Sequence, residues 1–481
     1  MSPSPIHFGT SGWRAIIGED FTFPNVRLAV AAIAEHVFSL NRKRPKLLIA
    51  YDTRFFSEEF SLAAAEVLQD RGVELLLCEG PTPTPTVAYE LLRRKLDGAI
   101  NFTASHNPWA YNGVKFSGPN GGPARPEVTR DIEARAAKLT GQDFSRSPEA
   151  HSGSSAAIPR IAPRDEYLKR LAELVRFEKI AEGKIKIVYD ALHGCGAGYL
   201  DRALADHGIA VTTIRANRDV LFDGTGPDVS EGNLAPLRHA VEQGKANIGL
   251  ATDGDADRFG IIDADGTWIS PNLILALVYD YLVESRVWNL PAARSVATSH
   301  FIDAVAKNRG LGVLQTPVGF KYLGELIEQD KIALGGEESA GLSIRGHVPE
   351  KDGILACLLV AEMTAVRGAT IGEQIRALFE KVGSEFWPLR TNLDLPEDVQ
   401  QRTVERLRQG YKEFLGRRVR TLDRTDGLKL EFEDGSWVLM RLSGTEPLLR
   451  VYTEASSQQA SARLAEDARG WVYESAVTKR S

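Results

Sequence analysis

The sequence predicts an α/β protein built from three similar α/β blocks and a smaller α+β segment at the C-terminal end. Over most of the 481 residues, short apolar runs alternate with amphipathic stretches, which is the pattern of strand–helix–strand units. From about Phe386 the pattern changes, and residues 428–444 alternate between apolar and polar as antiparallel strands do. The length also exceeds what one hydrophobic core usually serves, which favours about three domains, give or take one.

The elements of each block follow from these runs in order. The first block has strand 46–52, helix 57–72, strand 73–79, helix 86–95 and strand 97–103. The second has strand 184–190, helix 199–208, strand 209–217, helix 234–244 and strand 246–252. The third has helix 274–285, strand 294–299, helix 302–310, strand 312–318, helix 321–329, strand 331–336 and helix 353–366. The tail has strands within 428–444 and 448–455 and a helix over 457–476.

A segment rich in Ser, Pro, Gly and Ala over 145–160 has the composition of a linker between the first two blocks. The predicted domains are therefore 1–150, 160–270, 271–385 and 386–481.

Composition argues against several classes of partner. The formal net charge is −6 with acids and bases interspersed, which argues against nucleic acid or an anionic membrane bound through bulk charge. Cys78, Cys195 and Cys357 lie far apart without a CxxC pair, so neither a disulfide framework nor a thiolate zinc site is expected. We find no signal-peptide pattern and no apolar run long enough to span a membrane, and we expect a cytoplasmic protein.

Each α/β block has a polar loop at the end of one strand: TASHNP (103–108), DGDADR (253–258) and GEESAG (336–341). In open α/β sheets, ligands bind beyond the carboxyl ends of the strands. The three loops are therefore expected to contribute to one shared site.

The DGDADR loop predicts a metal site. Asp253, Asp255 and Asp257 alternate along the chain, and in extended backbone this directs all three carboxylates to one side. Crowded carboxylates repel one another unless a cation neutralises them, and oxygen ligands favour Mg²⁺, Mn²⁺ or Ca²⁺. An EF-hand is rejected because Arg258 stands where that loop needs Gly. A solvated acidic turn is the alternative.

The loop that follows the strand 97–103 exposes Ser105 among Gly, Asn and Pro residues. Serine is a poor nucleophile without a base, a metal or a covalently attached electrophile. His106 would point away from Ser105 in extended chain, so a serine–histidine pair is not assumed. Lys115, ten residues on in the predicted strand GVKFSG (113–118), could return to the same site as acid or base. Taken alone, such a serine is more often a turn residue.

Three further motifs have the composition of anion or sugar sites. RLSGTEPLLR (441–450) supplies two arginines, two hydroxyls and backbone amides, which suits a phosphate dianion, although a polar hairpin turn is an equal alternative. Glu337 and Ser339 of GEESAG could bind vicinal sugar hydroxyls, and Lys351 could meet a phosphate. GTSGWR (9–14) adds Arg14 and amides framed by glycine. Each of these signals is weak alone.

Together and in this order, these motifs resemble those of the α-D-phosphohexomutase superfamily, the phosphoglucomutases and phosphomannomutases, over essentially the full chain. The resemblance implies four domains around a deep central cleft. Three are similar three-layer α/β domains with mixed sheets, and the last is a smaller, mobile α+β domain.

The resemblance also implies site roles. Ser105 is then the phosphoserine, whose phosphate completes a site for one Mg²⁺ ion with the three aspartates. Lys115 is the general acid or base, with His106 close by. The other implied residues bind the transferring phosphoryl group or the substrate: Thr10, Arg14, Arg258, Gly319, Glu337, Ser339, Lys351, Arg441, Ser443, Gly444, Thr445 and Arg450.

The implied activity is that of an intramolecular phosphotransferase, which interconverts hexose 1-phosphate and hexose 6-phosphate through a 1,6-bisphosphate. GEESAG resembles the glucose-type loop and favours phosphoglucomutase with glucose 1,6-bisphosphate as activator. Val318, where some glucose-preferring relatives have Thr, keeps a phosphomannomutase or a dual glucose/mannose mutase open. A phosphosugar phosphatase and a non-catalytic sugar-phosphate binding protein are less favoured. The expected partner is a small phosphosugar, and the expected state is a monomer or weak homodimer.

Overall fold

A computed structural model of the protein describes residues 6–9, 11–40, 43–142, 144, 158–443 and 448–474. Four sheets follow one another along the chain, and the first three mix parallel and antiparallel strands. The fourth sheet is antiparallel throughout. The predicted fold class, three mixed α/β units and a smaller α+β unit, is confirmed. Most of the predicted linker lies outside the described residues.

The first sheet has seven strands in the order β1-β2-β6-β5-β3-β4-β7. Its strand β3 is buried along almost its whole length, as expected for a central strand covered on both faces. The elements are β1 (Phe8–Gly9), β2 (Gly12–Ile16), α1 (Phe23–Ser39), β3 (Lys46–Tyr51), α2 (Ser57–Asp70), β4 (Glu74–Cys78), α3 (Thr84–Arg94), β5 (Gly98–Phe102), β6 (Tyr111–Ser117), α4 (Pro126–Leu139) and β7 (Arg160–Ile161).

The second sheet has five strands in the order β12-β11-β10-β8-β9, with β8, β9 and β10 parallel. Its elements are α5 (Arg164–Leu174), α6 (Phe177–Gly183), β8 (Ile187–Asp190), α7 (Leu200–Asp206), β9 (Val211–Ile214), α8 (Ala235–Gly244), β10 (Ile248–Thr252), β11 (Phe259–Asp263) and β12 (Trp268–Ile269).

The third sheet has four strands in the order β14-β13-β15-β16. Its elements are α9 (Pro271–Arg286), β13 (Ala292–Ser295), α10 (Phe301–Asn308), β14 (Val313–Thr316), α11 (Phe320–Glu328), β15 (Leu334–Glu337), β16 (Gly341–Ile344), α12 (Gly353–Arg367) and α13 (Ile371–Val382). Helix α12 contacts β10 and β11 as well as β16, and one hydrophobic cluster runs through the second and third units. These two units therefore share a core.

The fourth sheet has six strands in the order β17-β22-β21-β20-β19-β18. Its elements are β17 (Trp387–Asp394), α14 (Glu397–Leu407), β18 (Glu413–Phe414), β19 (Arg417–Asp423), β20 (Leu428–Phe432), β21 (Trp437–Leu442), β22 (Leu448–Ala455) and α15 (Gln458–Tyr473). Val296 and Ala297 of the third unit pack against Trp437, Leu439 and Tyr452 of the fourth, so an apolar contact joins them.

Two smaller expectations also have an outcome. The three cysteines are free and buried. Among the described residues, no single helix has the length and apolarity of a membrane span; α12 and α13 meet that test only as a pair, across a 77° bend.

Candidate active site

Three loops meet at the carboxyl ends of β5, β10 and β15. We refer to residues 103–111 as the serine loop, 253–258 as the aspartate loop and 336–341 as the glutamate loop. Ser105 is buried, and its Oγ donates to Asp253 Oδ2 at 2.7 Å, although 148 positions separate the two residues. The serine and aspartate loops of two different sheets thus form one site.

Ser105 has an unusual backbone conformation. Its φ of 52° lies in the left-handed region, which side chains other than Gly rarely adopt without support. Its amide donates to Thr103 Oγ1 at 2.9 Å. The conformation turns the chain sharply after β5 and directs the hydroxyl towards the aspartate loop.

This turn corrects the expectation for His106, which was that its side chain would point away from Ser105. The argument assumed extended backbone, whereas the left-handed turn brings His106 Nδ1 to 3.3 Å from Ser105 Oγ. Burial, and then the charges of Arg258 and Arg14, hold the pKa of His106 well below its ordinary value. The imidazole is therefore neutral at neutral pH.

The aspartate loop brings three carboxylates together. Asp253, Asp255 and Asp257 are buried and offer oxygens within 4.8 Å of one another. The reason differs from the predicted one, because the loop is a turn, with Ala256 at φ 57°, rather than extended chain. Among the residues that the structure describes, Asp255 Oδ1 and Asp257 Oδ1 are buried and have no hydrogen-bond partner. Unsatisfied carboxylate oxygens at this spacing fit a small divalent cation.

The aspartates differ in their electrostatic surroundings. Burial, and then repulsion from Asp255 and Asp257, raise the pKa of Asp253 well above its ordinary value. Burial also acts on Asp257, but the charges of Lys115, Lys351 and Arg258 outweigh it and lower its pKa. A bound cation would relieve the repulsion at Asp253.

Lys115 comes from the strand β6, which pairs antiparallel with β5. Its Nζ donates to Asp255 Oδ2 and, at 2.8 Å, to Asp257 Oδ2. Burial alone would lower the pKa of Lys115, but these two carboxylates outweigh it and raise the pKa. Lys115 is therefore held in its charged form beside the aspartates. The sequence predicts that Lys115 could return to the site of Ser105, and its contacts with Asp255 and Asp257 agree with this.

Two arginines flank the serine loop. Arg14 lies on β2, and its Nη1 donates to Asn107 Oδ1 at 2.7 Å. Arg258 ends the aspartate loop, where its amide donates to Asp253 Oδ1 at 3.0 Å and its Nε lies 3.9 Å from Asp257 Oδ1. Burial, and then the charge of Arg258, lower the pKa of Arg14 to about 10. Both guanidinium groups remain positive at neutral pH.

The glutamate loop adds Glu337 at the end of β15. Its Oε1 accepts from the amide of Gly319 at 2.7 Å, and Gly319 has a φ of 129° that favours glycine. Burial, and then the neighbouring Glu338, raise the pKa of Glu337 to about 7. Ser339 is partly exposed in the turn between β15 and β16.

Lys351 links the glutamate and aspartate loops. Its Nζ lies 3.2 Å from Asp257 Oδ2 and donates to Glu350 Oε1 at 2.6 Å. The same ammonium group lies 5.3 Å from the centre of the Phe320 ring, on the helix that follows Gly319. Lys351 thus lies between the metal-type site and the loop that carries Glu337.

The fourth unit reaches this region through Asp426. Arg441 Nε donates to Asp426 Oδ1 at 2.8 Å, and the amide of Val318 donates to Asp426 Oδ2 at 3.1 Å. Arg441 and Arg450 are opposite one another on β21 and β22, and the Ser443 amide donates to Leu448 O at 2.9 Å. Thr10, Gly444 and Thr445 of the predicted set lie outside the described residues.

Three residues near the site were missed by sequence reasoning. Thr84 Oγ1, at the start of α3, donates to Asp255 Oδ2, and Asp426 binds Arg441. Arg54 donates to several carbonyls of the serine loop. A polar residue just beyond a buried strand was the available signal for Thr84 and Arg54, because they follow β4 and β3.

Family models of phosphoglucomutase/phosphomannomutase match almost the whole chain. The alpha/beta/alpha domains I, II and III match residues 5–143, 165–266 and 270–382, and the C-terminal domain matches 391–470.

Curated relatives carry several names. A phosphoglucomutase/phosphomannomutase of Thermococcus kodakarensis is 30% identical, covering 94% of this chain and 95% of that protein. A phosphoglucomutase of Komagataeibacter xylinus is 29% identical (99% and 93% covered), and a phosphoglucosamine mutase of Thermobifida fusca is 28% identical (95% and 96% covered). A crystal structure from Thermus thermophilus, assigned as a phosphomannomutase, is 30% identical with a TM-score of 0.85, covering 98% of this chain and 100% of that one.

Proposed function

The chain belongs to the phosphoglucomutase/phosphomannomutase family of α-D-phosphohexomutases, and on that premise we propose that it interconverts glucose 1-phosphate and glucose 6-phosphate. The family makes it a phosphohexomutase-type enzyme. The observation that carries the proposal is the contact of Ser105 Oγ with Asp253 beside two unsatisfied buried carboxylate oxygens. A serine in this position is suited to carry a phosphoryl group next to a cation.

We propose Mg²⁺ as the cation, held by Asp253, Asp255 and Asp257 together with the phosphate carried on Ser105. Hard oxygen ligands and the small spacing of the carboxylates support this choice. When bound, Mg²⁺ supplies positive charge that offsets the negative charge of the phosphoryl group in its loose transition state. Arg14 and Arg258 would supply further positive charge from the protein.

The second half-reaction reverses the first, with phosphorus leaving a sugar oxygen and bonding to Ser105 Oγ. In the first, the bond between phosphorus and Ser105 Oγ breaks and a bond to a sugar hydroxyl oxygen forms. The proton of that hydroxyl must be removed, and the departing serine oxygen must gain one. Lys115 is the proposed donor to Ser105 Oγ because Asp255 and Asp257 keep its Nζ protonated. The neutral His106, 3.3 Å from Ser105 Oγ, is the proposed acceptor.

The product of the first half-reaction is glucose 1,6-bisphosphate, which must turn over before it returns its other phosphoryl group to Ser105. The non-reacting phosphate therefore needs a cradle that accepts both orientations. Arg441, Ser443 and Arg450, with Gly444 and Thr445, are proposed for this role. Glu337, Ser339 and Lys351 are proposed to hold the sugar hydroxyls, with Gly319 and Thr10 as further contacts.

The preference for glucose is part of the proposal. It rests on the GEESAG loop, whereas relatives about as similar carry the names phosphoglucomutase, phosphomannomutase and phosphoglucosamine mutase. Phosphomannomutase or dual glucose/mannose activity is the second candidate, because Val318 offers no hydroxyl to the sugar.

One assay tests the class and the substrate together. Purified protein, Mg²⁺ and a trace of glucose 1,6-bisphosphate are given glucose 1-phosphate, mannose 1-phosphate or glucosamine 1-phosphate. We expect conversion to the 6-phosphates, with kcat/KM for glucose at least ~10-fold above the other two. Release of inorganic phosphate would support a phosphatase instead. Binding of the sugar phosphate without turnover would support a non-catalytic sugar-phosphate binding protein. Ser105→Ala should abolish phosphoenzyme in an intact-mass measurement.

The four domain boundaries, a monomeric or weakly dimeric state and a cytoplasmic location also stay predictions. Light scattering across a range of protein concentrations measures the oligomeric state. A dimer that persists on dilution to nanomolar concentration would contradict the prediction.

A further inference from the structure

We propose that Arg54 is a positioning residue for phosphoryl transfer at Ser105, holding the backbone of the serine loop with the help of Phe222 from the second unit. The inference rests on the proposed function, since it concerns the same serine. Arg54 is a positioning residue and not a catalytic one, because its contacts are with the backbone of the loop and not with the reacting oxygen.

The guanidinium of Arg54 is fully buried and lies inside the serine loop. Its Nη2 donates to the carbonyls of Ser105 and Asn107, each at 2.6 Å. Its Nη1 donates to the carbonyls of Pro108 and Tyr111 at 2.9 and 3.0 Å. One side chain therefore satisfies four backbone acceptors, three in a loop outside the strand ladders and the fourth at Tyr111, the first residue of β6.

The Ser105 carbonyl is fixed from two sides. Arg54 binds its oxygen, and the α-carbon of Gly254, in the aspartate loop, approaches so closely that an added Cβ would lie 2.7 Å from that oxygen. A peptide fixed this way helps to hold Ser105 at its left-handed φ of 52°. That conformation sets the direction of Oγ towards Asp253, so Arg54 controls the position of the hydroxyl through the backbone.

Arg54 is itself held by its own strand end. Its Nε lies 3.2 Å from Asp52 Oδ2, and Asp52 Oδ1 accepts from the Arg54 amide and from Ser57 Oγ. The carboxylate balances the charge that burial would otherwise make costly. The guanidinium therefore has little freedom to leave the loop.

The second unit completes the arrangement through the segment 218–226. The Phe222 ring lies 5.1 Å from the Arg54 guanidinium carbon, and Arg218 donates to the carbonyls of Thr53 and Arg54 at 3.0 and 3.2 Å. The Trp109 amide donates to Thr225 O at 3.3 Å. Because the aspartate loop belongs to the same unit, this segment couples the serine loop to the aspartates it must face.

Lysine cannot replace this geometry. Arginine offers five N–H donors in a rigid plane, whereas lysine offers three donors around one nitrogen and cannot reach four carbonyls at once. Arg54→Lys keeps the positive charge and removes the planar set of donors. The variant therefore tests whether the loop is held in position, and not whether a charge is needed. A shift of about 1 Å in a reacting group is enough to lower a rate by about 100-fold.

The experiment compares Arg54→Lys with Arg286→Lys. Arg286 is the control, a partly buried arginine that donates to both oxygens of Glu362 and to Leu174 O, away from the serine loop. We expect Arg54→Lys to lower kcat, and the single-turnover rate of Ser105 phosphorylation by glucose 1,6-bisphosphate, by about 100-fold with KM within about threefold. Arg286→Lys should lower the melting temperature comparably while kcat stays within about twofold.

A kcat for Arg54→Lys close to wild type, or an equal loss of kcat in both variants, would overturn the proposal. If Arg54→Lys does not fold, Phe222→Leu takes its place, with a smaller loss of kcat of about 3- to 10-fold expected and an unchanged kcat counting against the inference. Turnover by the wild type distinguishes failure of the proposed function from failure of this inference. If the wild type is inactive, the proposed function is wrong. If the wild type and Arg54→Lys are both active at similar rates, only the inference about Arg54 is wrong.

Discussion

At the scale of single residues, the carboxylate of Asp253 is destabilised by its surroundings in the metal-free protein. It is buried beside two further carboxylates, and its pKa is raised well above the ordinary value by burial and by those neighbours. Its two oxygens accept from Ser105 Oγ and the Arg258 amide, contacts that an amide of the same shape can largely retain. As a proposed cation ligand, the Asp253 carboxylate would therefore lower the stability of the metal-free protein.

Asp253→Asn should separate these two effects. We expect Mg²⁺ affinity to fall by about 100-fold or more, since a carboxylate ligand is lost. The melting temperature of the metal-free protein should rise by about 2 °C, because repulsion is relieved. Calorimetric Mg²⁺ titration and thermal unfolding with a chelator measure the two quantities. A lower metal-free melting temperature than wild type would contradict the argument.

Glu337 predicts a pH dependence. Its pKa is raised from 4.5 to about 7 in the folded protein, mainly by burial and then by Glu338. Between these values the folded state holds a proton that the unfolded state has released, so this contribution to stability is lost as the pH rises through about 7. The charged form, which we propose accepts from sugar hydroxyls, appears over the same range.

We therefore expect kcat/KM of the wild type to rise between about pH 6 and about pH 8. Glu337→Gln should be less active and should lack the inflection near neutral pH. Initial rates over this range, with the coupling enzyme in excess, measure it. If the inflection is unchanged in Glu337→Gln, it must arise from the titration of another group.

Much of the site at this scale was predicted from sequence, because Ser105, Lys115 and the aspartates stand in compact motifs. Asp426 stands in no such motif, and Arg54 had only the signal of a polar residue just beyond β3. Arg54 acts on carbonyls 51 to 57 positions away, and Asp426 acts on Val318, 108 positions away. Such contacts depend on how whole sheets are placed, which local patterns do not contain.

At the scale of elements, the start of α12 holds the loop that carries Lys351. Asp352 Oδ1 caps the helix by accepting from the Leu355 amide at 2.9 Å. Asp352 Oδ2 accepts from Tyr167 OH at 2.6 Å and lies 2.7 Å from His347 Nε2. Helix α5, which carries Tyr167, is thereby tied to the residue after Lys351.

Tyr167→Phe should lower the free energy of unfolding by about 1–2 kcal/mol, because a buried hydrogen bond to a carboxylate is lost. KM for the sugar phosphate should rise as Lys351 loses support. Tyr473→Phe is the control, since the Tyr473 hydroxyl donates to Asp394 O on the surface and should cost under about 0.5 kcal/mol. Urea unfolding and steady-state kinetics measure both variants. Equal losses of unfolding free energy in the two variants would contradict a special role for the hydrogen bond between Tyr167 and Asp352.

The elements themselves were well predicted where apolar runs are bounded by turns. The strands β3, β4, β5, β8 and β10 were all found within a few residues. The helices that were not predicted are α1, α4, α5, α6, α13 and α14. Of these, α5 is largely polar with only Tyr167 and Leu171 buried, and α6 is seven residues long. Strand β6 was recognised only as GVKFSG around Lys115, since Gly and Asn interrupt its pattern.

At the scale of the whole molecule, a buried lysine joins the third and fourth units. Lys429 of β20 donates to Val296 O at 2.8 Å and lies 2.9 Å from His300 Nε2 and 4.0 Å from the centre of the Trp437 ring. Burial, and then Arg294, lower the pKa of Lys429 from 10.5 to about 7, despite the opposing carboxylates of Glu431, Glu454 and Asp303.

This lowered pKa gives the interface a pH dependence with a defined sign. Between about 7 and 10.5 the unfolded state binds a proton that the folded state lacks, so stability rises with pH over that range. We expect the melting temperature of the wild type to rise from about pH 7 to about pH 9, and Lys429→Met to lack that rise. A parallel rise in both proteins would contradict the assignment.

In the fourth sheet, the first strand to be synthesised pairs with the last. Strand β17 leaves the ribosome long before β22, the strand with which it pairs from Trp387↔Ala455 to Asp394↔Leu448. The nascent chain therefore carries an unpaired strand for most of the time that this unit is being made, while the earlier units, which hold Ser105 and the aspartates, can already fold. Arg450 lies on the same late strand, so an unfinished chain would have the proposed phosphoryl carrier without the complete set of residues proposed to bind its substrate.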